Sequence, residues 1–330
     1  MILDLVNTTA AKINGALLDA RRRSGSPAMG MVLTLVISTD EGEHYDALRA
    51  ATDAAREHPS RILVAIRRPG SATARLDAEV RVGETGPGEV VLLRMHGALS
   101  DHADSVVLPL LLPDAPVVIW WTGTPPRVPA QDNLGALAQR RITDAAASED
   151  PMRELHARAA GYRPGDTDLS WTRLTSWRTL LAATLDEPYG EIRAAHVAAE
   201  KASPSARLLA LWLGWRLDVP VTEAVSNGPG ITDASLETVD GPIAVTRPDG
   251  RLAALVRPRQ PERTVALPRR STAELLAEEL RRLDPDETYG ATLALLESGP
   301  GGGRRGRGEP VSAGRARGPA TPTRRSTRKP

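Results

Sequence analysis

One stretch, residues 105–123 with the sequence S-V-V-L-P-L-L-L-P-D-A-P-V-V-I-W-W-T-G, constrains the fold more than any other part of the chain. Its three prolines each lack a backbone N–H, and Asp114 adds a charge, so the stretch cannot form one continuous membrane helix. We therefore predict a short buried helix over 102–112, a turn at 113–116 and a strand at 117–121. The β-branched and aromatic residues of that strand are typical of the middle of a largely parallel sheet.

Composition and charge narrow the class of protein. The chain has 330 residues, 41% of them hydrophobic, which is enough for two domains. It has no cysteine, so it contains no disulfide, thiol nucleophile or thiolate metal site. Its start lacks the apolar core of a signal peptide and no long apolar run follows, so we predict a cytoplasmic protein that is not associated with a membrane.

The pattern of elements predicts an α/β fold with two α/β domains. The first, residues 1–150, has strands at 32–37, 62–66 and 90–95, an edge strand at 76–82, and helices at 8–23 and 45–56. The strand–helix–strand order over 32–66 favours a right-handed crossover, so this sheet is predicted to be mixed, largely parallel and covered by helices.

The rest of the chain is predicted to form a connector, a smaller domain and a tail. The connector, 151–190, follows a partly helical segment at 134–147 and contains a loop at 165–171 that leads into a tryptophan-containing helix at 171–185, with Asp168 or Ser170 as its N-cap. Residues 191–297 form a smaller α+β unit with strands, a helix at 206–217 and two final helices. Residues 298–330 carry nine basic side chains and one acidic one, and we predict a disordered basic tail.

Sequence signatures of catalysis are missing. There is no phosphate-binding loop ending in lysine, no H-E-x-x-H and no G-x-S-x-G, and the six histidines are scattered. The glycine cluster at 299–303 leads into the basic tail rather than a helix, so it cannot act as a dinucleotide fingerprint. We therefore predict that the chain is not an enzyme and has no catalytic residues, cofactor or metal site.

Several charged and aromatic residues remain candidates for binding. Arg140, Arg141, Arg173 and Arg178 could form an anion site, or could be solvated charges that pair with nearby acids. Asp166 and Asp168 could grip a cation, but a helix cap and a turn residue explain them equally well. The tryptophans at 120, 121, 171, 177, 212 and 215 fit core packing, and one of the adjacent pair 120 and 121 could face a domain or partner interface.

Four segments carry a resemblance to a known family. They are H-P-S-R-I-L-V at 58–64, the stretch 105–121, L-G-A-L-A-Q-R-R-I-T-D at 134–144, and G-D-T-D-L-S-W-T-R-L-T-S-W-R at 165–178. In these the chain resembles an actinobacterial member of the glucose-6-phosphate dehydrogenase assembly protein family of the OpcA type. The similarity extends over about residues 1–297 and leaves out the basic tail.

The resemblance implies a non-catalytic cytoplasmic partner that binds glucose-6-phosphate dehydrogenase and favours its active oligomer, in support of the oxidative pentose phosphate pathway. We place the contact near Trp171, Arg173 and Trp177, and extend it to the four residues Asp166, Asp168, Arg140 and Arg141. The alternative is an α/β sensor that binds a sugar phosphate or a nucleotide through the arginines of 140–178. Nucleic acid is expected to bind only nonspecifically, through the tail.

Overall fold

The computed structural model describes residues 1–24, 30–70, 72–83 and 88–298, and it has the predicted α/β architecture. Two sheets, each with its own helices, form the fold. The predicted disordered tail, beyond residue 298, lies outside the described residues.

The first sheet, sheet A, has eight strands in the order β1-β4-β5-β3-β2-β6-β7-β8. Its six neighbouring strands from β5 to β8 are parallel, while β1 and β4 pair antiparallel, so the sheet is mixed and largely parallel as predicted. The strands are β1 Ile2–Leu5, β2 Leu33–Thr39, β3 Ser60–Arg68, β4 Arg75–Val82, β5 Glu89–His96, β6 Val117–Trp121, β7 Arg140–Thr143 and β8 Asp166–Asp168.

Helices cover both faces of sheet A. On one face, α1 (Ala10–Ser24) and α3 (Ala103–Val107) pack on a core that includes Trp121. On the other, α2 (His44–Ala54) and α8 (Thr272–Arg281) pack on a core that includes Trp120. Adjacent side chains of a strand point to opposite faces, and β6 therefore supplies one tryptophan to each core. Its predicted position in the middle of the parallel sheet is confirmed.

Three local predictions were wrong, and one strand was missed. The strand at 76–82 is not an edge, because β1 pairs with it; the four residues of β1 are too few for a visible alternation. The segment 134–147 is partly helical as predicted, in two 3-10 helices at 135–137 and 145–147, but strand β7 between them was missed. The segment 165–171, predicted as a loop, contains strand β8. Both strands carry buried charged side chains, which conceal the apolar pattern of a buried strand. The helix predicted at 171–185 is two helices, α5 (Leu169–Thr172) and α6 (Thr175–Thr184).

The second sheet, sheet B, has six strands in the order β10-β9-β11-β12-β13-β14, mostly antiparallel. Its core is shared with α4, α6, α7 and α9. The strands are β9 Ile192–Ala199, β10 Val221–Val225, β11 Ile231–Thr238, β12 Gly241–Thr246, β13 Leu252–Val256 and β14 Arg263–Ala266. The remaining helices are α4 Pro151–Gly161, α7 Pro204–Leu217 and α9 Glu287–Ser298.

The two sheets exchange elements along the chain. Strand β8 belongs to sheet A although it follows α4, and α8 returns to cover sheet A after the six strands of sheet B. The predicted boundaries at 150, 190 and 297 stay predictions. We call the region where the two sheets and their helices meet the seam. The elements around it position the candidate residues.

Helix α8 begins with a capping box, which yields a first prediction. The Ser271 hydroxyl accepts from the Glu274 N–H at 3.3 Å, and the Glu274 carboxylate accepts from the Ser271 N–H at 2.7 Å. Ser271→Ala is expected to lower the free energy of unfolding at pH 7 by about 1 kcal/mol, because a helix donor loses its partner. Chemical denaturation measures the loss, and an unchanged midpoint would contradict it.

The same box sets a pH dependence. Hydrogen bonds from the Ser271 N–H and hydroxyl lower the pKa of the Glu274 carboxyl below its ordinary value. A lowered pKa in the folded state means that the contribution is present above the unfolded pKa of about 4.3 and is lost as the pH falls through the folded pKa. In Glu274→Gln, which keeps the box but cannot ionise, this part of the acid dependence should disappear.

Candidate functional site

Arg140, predicted as an anion-binding or partner-binding residue, is buried at the start of β7. Its Nε donates to the Glu279 carboxylate at 3.0 Å, its Nη2 makes a second bond to the same carboxylate, and its Nη1 donates to the Asp284 carbonyl at 3.0 Å. The other Glu279 oxygen accepts from the Thr172 hydroxyl at 2.6 Å. This network ties sheet A to α5 and α8, and leaves the Arg140 guanidinium no free face for a ligand.

Arg141 points to the other side of β7 and is also buried. Its guanidinium pairs with Asp166 and donates to the carbonyls of Ala138 at 2.7 Å and Pro164 at 2.5 Å. Burial raises the pKa of the Asp166 carboxyl, while the hydrogen bond from Arg141 opposes the shift. The charges of Arg141 and Asp166 therefore pair with each other inside the fold.

Asp168 is the N-cap of α5; the sequence predicted either Asp168 or Ser170 as the cap of the helix that starts here. Its carboxylate accepts from the N–H groups of Ser170 and Ala145, both at 2.9 Å, and from the Thr143 hydroxyl at 2.7 Å. With Asp166 held by Arg141, the two aspartates have separate structural partners and do not converge on one pocket.

Trp171 and Trp177 are each 2% exposed. The Trp171 indole N–H donates to Asp286 at 2.8 Å, and the Arg178 guanidinium carbon lies 3.8 Å from the Trp171 ring centroid. The guanidinium carbon of Arg247 lies 4.9 Å from the Trp177 ring centroid. Both tryptophans pack in the core of the seam.

Arg173 alone among the predicted contact residues is partly exposed. Its two terminal nitrogens donate to the two oxygens of Asp144 at 2.7 and 2.6 Å. Burial raises the pKa of the Asp144 carboxyl, and the bonds from Arg173 oppose the shift. The assignment of the seven residues to a partner contact stays a prediction; the structure gathers them around the seam as internally paired groups.

The carboxyl ends of β2 and β6 form the position where parallel α/β sheets usually bind ligands. Strand β2 lies between β3 and β6 in the sheet. The chain leaves β2 toward β3 on one side, whereas β6 continues the sheet on the other side, so the connections diverge and a crevice opens between the carboxyl ends of β2 and β6. The loop after β2 begins with Asp40, whose carboxylate accepts from the N–H groups of Gly42 and Glu43 at 2.9 and 3.1 Å. Two amides at the start of this loop therefore already have a carboxylate as their acceptor.

The surroundings of this crevice are acidic as well. The groove beside it is lined by Glu43, Asp46, Asp53 and Asp144, against one cation, Arg49. A phosphate placed here would meet like charge, which opposes its binding.

A second cleft, of about 410 Å³, lies along the seam between the two sheets and has the opposite charge. We call it the seam cleft and define it by its charged lining. Five cations, Arg173, Lys201, Arg247, Arg269 and Arg270, face two carboxylates, Asp144 and Glu200. In a partly enclosed space such an excess of cations favours an anion.

Two helices begin at the seam cleft. Helix α7 starts at Pro204 after the cap Ser203, and α8 starts at Thr272 after the cap Ser271; all four residues line the cleft. The first-turn N–H groups of a helix lack partners within the helix and carry partial positive charge. Both helix ends therefore add to the positive potential.

Arg247 is a buried cation of the seam cleft, 5% exposed. Its terminal nitrogens donate to the carbonyls of Leu267 at 2.9 Å and Ile231 at 3.0 Å, whereas its Nε has no hydrogen-bond partner among the described residues. Burial, and then the charge of Arg269, lower the pKa of Arg247.

Lys201 and Arg269 are exposed at the same cleft, and within the described ranges neither side chain has an ion-pair or hydrogen-bond partner. Sequence reasoning missed both residues. The S-P-S start of α7 was visible at 203–205, but Arg247 and Arg269 come from other segments that only the fold brings near it.

Two further observations concern the described residues alone. Nowhere in 1–24, 30–70, 72–83 or 88–298 do three histidine or carboxylate side chains group as a metal site would require. No helix in those ranges is long and apolar enough to cross a membrane.

Fold and clefts together define a two-sheet α/β protein with an acidic groove beside the ends of its parallel strands and a basic cleft along the seam. Family comparison gives a narrower assignment. Two family models match, and both describe a glucose-6-phosphate dehydrogenase subunit: the model of its N-terminal domain matches residues 51–160, and the model of its C-terminal domain matches residues 164–293. The chain belongs to this OpcA family of glucose-6-phosphate dehydrogenase assembly proteins.

Curated relatives agree with the family. A protein of Nostoc punctiforme described as an OxPP cycle protein OpcA is 30% identical over 139 residues, which are 39% of this chain and 30% of the relative. One of Synechococcus elongatus with the same description is 31% identical over 136 residues, 38% of this chain and 30% of the relative. The match thus spans less than a third of the length of these relatives.

Solved structures resemble the chain only loosely. KijD10, a 3-ketoreductase from Actinomadura kijaniata, superposes with a TM-score of 0.44 at 9% identity, over 81% of this chain and 96% of that one. An oxidoreductase from Sinorhizobium meliloti gives 0.41 at 10% identity, over 81% and 87%. Similarity at this level carries no argument about activity.

Proposed function

We propose that this chain is a non-catalytic partner that binds glucose-6-phosphate dehydrogenase and favours its active oligomer. The match of residues 51–160 and 164–293 to both domains of the OpcA family is the observation that supports this function. The acidic groove, and the Asp40 carboxylate that accepts from the N–H groups of Gly42 and Glu43, support a binding role over dinucleotide chemistry.

The mechanism rests on differential affinity. A partner shifts an equilibrium between two states only by the difference in its binding free energy for them. To turn a mostly inactive dehydrogenase population into a mostly active one requires a difference on the order of 3–5 kcal/mol. The chain would therefore contact a surface that changes between the two oligomeric states.

The acidic groove beside the crevice offers a contact surface of defined charge. Asp46, Asp53 and Glu43 lie together there on or next to α2. Asp46 pairs with Arg49 of the same helix and Asp53 with Arg56 just after it, and both arginines are exposed. Charges of one sign on a surface steer and select a partner with the opposite charge. We propose a basic face of the dehydrogenase as the partner surface.

This proposal predicts a change in both rate and mass. Excess chain should raise the initial rate of the dehydrogenase from the same organism at least about tenfold where the enzyme is mostly inactive, with a shift in its oligomer mass. Initial rates across substrate concentration and mass photometry measure the two effects. No change in either quantity would contradict the proposal.

Charge reversal tests the contact surface. The double variant Glu43→Lys, Asp46→Lys should need about tenfold more protein for half-maximal activation, since like charges would then face each other. Asp19→Lys on α1, an exposed acid on the opposite face of sheet A, is the matched control and should activate normally. Equal loss in both variants would argue against the acidic groove.

A further inference from the structure

We propose that the seam cleft binds the phosphate group of a small phosphorylated metabolite, held by Lys201, Arg269 and the Ser205 N–H at the start of α7. None of the family descriptions assigns this site. The inference does not depend on the dehydrogenase, because the site is formed entirely by this chain.

Two cations of the seam cleft are not neutralised by a neighbouring acid. Arg173 and Arg270 are neutralised by Asp144 and Glu278, but Lys201 and Arg269 have no such acid in the described part of the chain. Glu200 is the remaining carboxylate of the cleft. An ammonium and a guanidinium at one cleft are the side chains that bind phosphate oxygens most strongly.

The seam cleft also contains a buried arginine with an unpaired donor. Arg247 lies 5% exposed with its Nε unpartnered within the described residues, and Trp177 and two carbonyls hold it in place. A buried donor without a partner costs free energy, so its persistence needs a reason. A bound anion gives one, because it would compensate the buried cation at close range.

The start of α7 supplies a neutral donor beside these cations. The Ala206 N–H donates to the Ser203 hydroxyl at 3.3 Å and Pro204 has no N–H, so the Ser205 N–H is the first-turn donor left for a ligand among the described residues. The loop from β9 to α7 passes through Lys201, Ala202 and Ser203, and Ala202 has φ of 57°, in the left-handed region. Pro204 follows at the first helical position. Phosphate commonly sits at such a helix start, where backbone N–H groups and the helix dipole point at it.

Size selects the class of ligand. A cleft of about 410 Å³ is within the range of small-molecule sites and suits a sugar phosphate or a comparable monoester. Its walls come from both sides of the seam: Arg173 precedes α6, Lys201 follows β9, and Arg269 precedes α8. A ligand that touches all three segments would stabilise the packing of the two sheets.

Calorimetric titration of the purified full chain, without dehydrogenase, tests the site. The probes are inorganic phosphate, glucose 6-phosphate and glucose; binding is expected for the phosphorylated probes and not for glucose. Lys201→Ala and Arg269→Ala should each weaken binding about tenfold, the effect of one lost charge-assisted hydrogen bond. Equal affinity for phosphate and glucose 6-phosphate would place all recognition in the phosphate group.

Lys12→Ala and Arg282→Ala are the matched controls, since each removes an exposed cation that does not line the cleft. Both controls should bind like the natural chain, and thermal unfolding should show that all four variants are folded. Undetectable binding at millimolar phosphate, or equal loss in variants and controls, would overturn the site. Because activation of the dehydrogenase is a separate assay, failure of either proposal can be told from failure of the other.

Discussion

Glu279→Ala is expected to lower the free energy of unfolding by about 3–5 kcal/mol, the cost of leaving one charge of a buried pair without its partner. Glu279 is 5% exposed and Arg140 is 4% exposed. The substitution would leave the Arg140 guanidinium buried, with the Asp284 carbonyl as its remaining partner. It would also remove the nearer acceptor of the Thr172 hydroxyl, which would keep only the Asp168 carbonyl at 3.4 Å.

The location of this pair makes the effect a global one. Glu279 is on α8, which follows sheet B, whereas Arg140 is on β7 of sheet A, 139 positions earlier. The pair therefore fastens the end of the chain's second half onto the sheet built by its first half. We expect the variant to unfold cooperatively at a lower denaturant concentration, with both sheets lost together.

Two controls separate this cost from ordinary surface effects. Glu57→Ala breaks the exposed pair between Glu57 and Arg281 and should cost less than about 1 kcal/mol. The double variant Arg140→Met, Glu279→Met removes both buried charges and should regain most of the lost stability. A double variant as unstable as Glu279→Ala would show that the charge pair itself, and not an orphaned charge, determines the loss. Urea denaturation followed by far-UV circular dichroism gives all four values.

Apolar strands could be predicted from the sequence because burial on both faces leaves a direct pattern. The run of 117–121 and those at 62–66 and 90–95 are built of residues that pack without polar partners, and all three lie in sheet A. The cap Asp168 was one of the two residues predicted, since capping depends on neighbours in sequence. Residues close together in sequence were sufficient to predict these elements.

Strands β7 and β8 could not be predicted because their burial depends on distant partners. R-R-I-T and D-T-D resemble loop or helix segments until Glu279 and the Arg141–Asp166 pair neutralise their charges. The candidate site shows the same limit. Arginines 140, 141 and 173 stood out in sequence, yet each has an internal acid, while the seam-cleft cations Lys201 and Arg269 lie in unremarkable turns.

Trp171 allows a test that separates a structural role from the predicted partner contact. Trp171→Ala is expected to lower the free energy of unfolding by about 3–5 kcal/mol, because a large buried side chain is lost and a cavity remains. The change also removes the donor to Asp286 and the ring beneath Arg178. Trp215→Ala is the control: Trp215 is 41% exposed, and its loss should cost less than about 1 kcal/mol.

The variant Trp171→Phe separates the structural role of Trp171 from a role in partner contact. It keeps an aromatic ring but removes the indole N–H, so Asp286 loses a hydrogen bond and stability should fall by about 1–3 kcal/mol. If Trp171 acts only inside the fold, the folded fraction of this variant should activate the dehydrogenase as well as the natural chain does. Reduced activation per folded molecule, together with a normal unfolding midpoint, would instead assign Trp171 to the contact, although it is 2% exposed here. The contact would then require the seam to open when the partner binds, since a buried indole touches another protein only after its own packing is released.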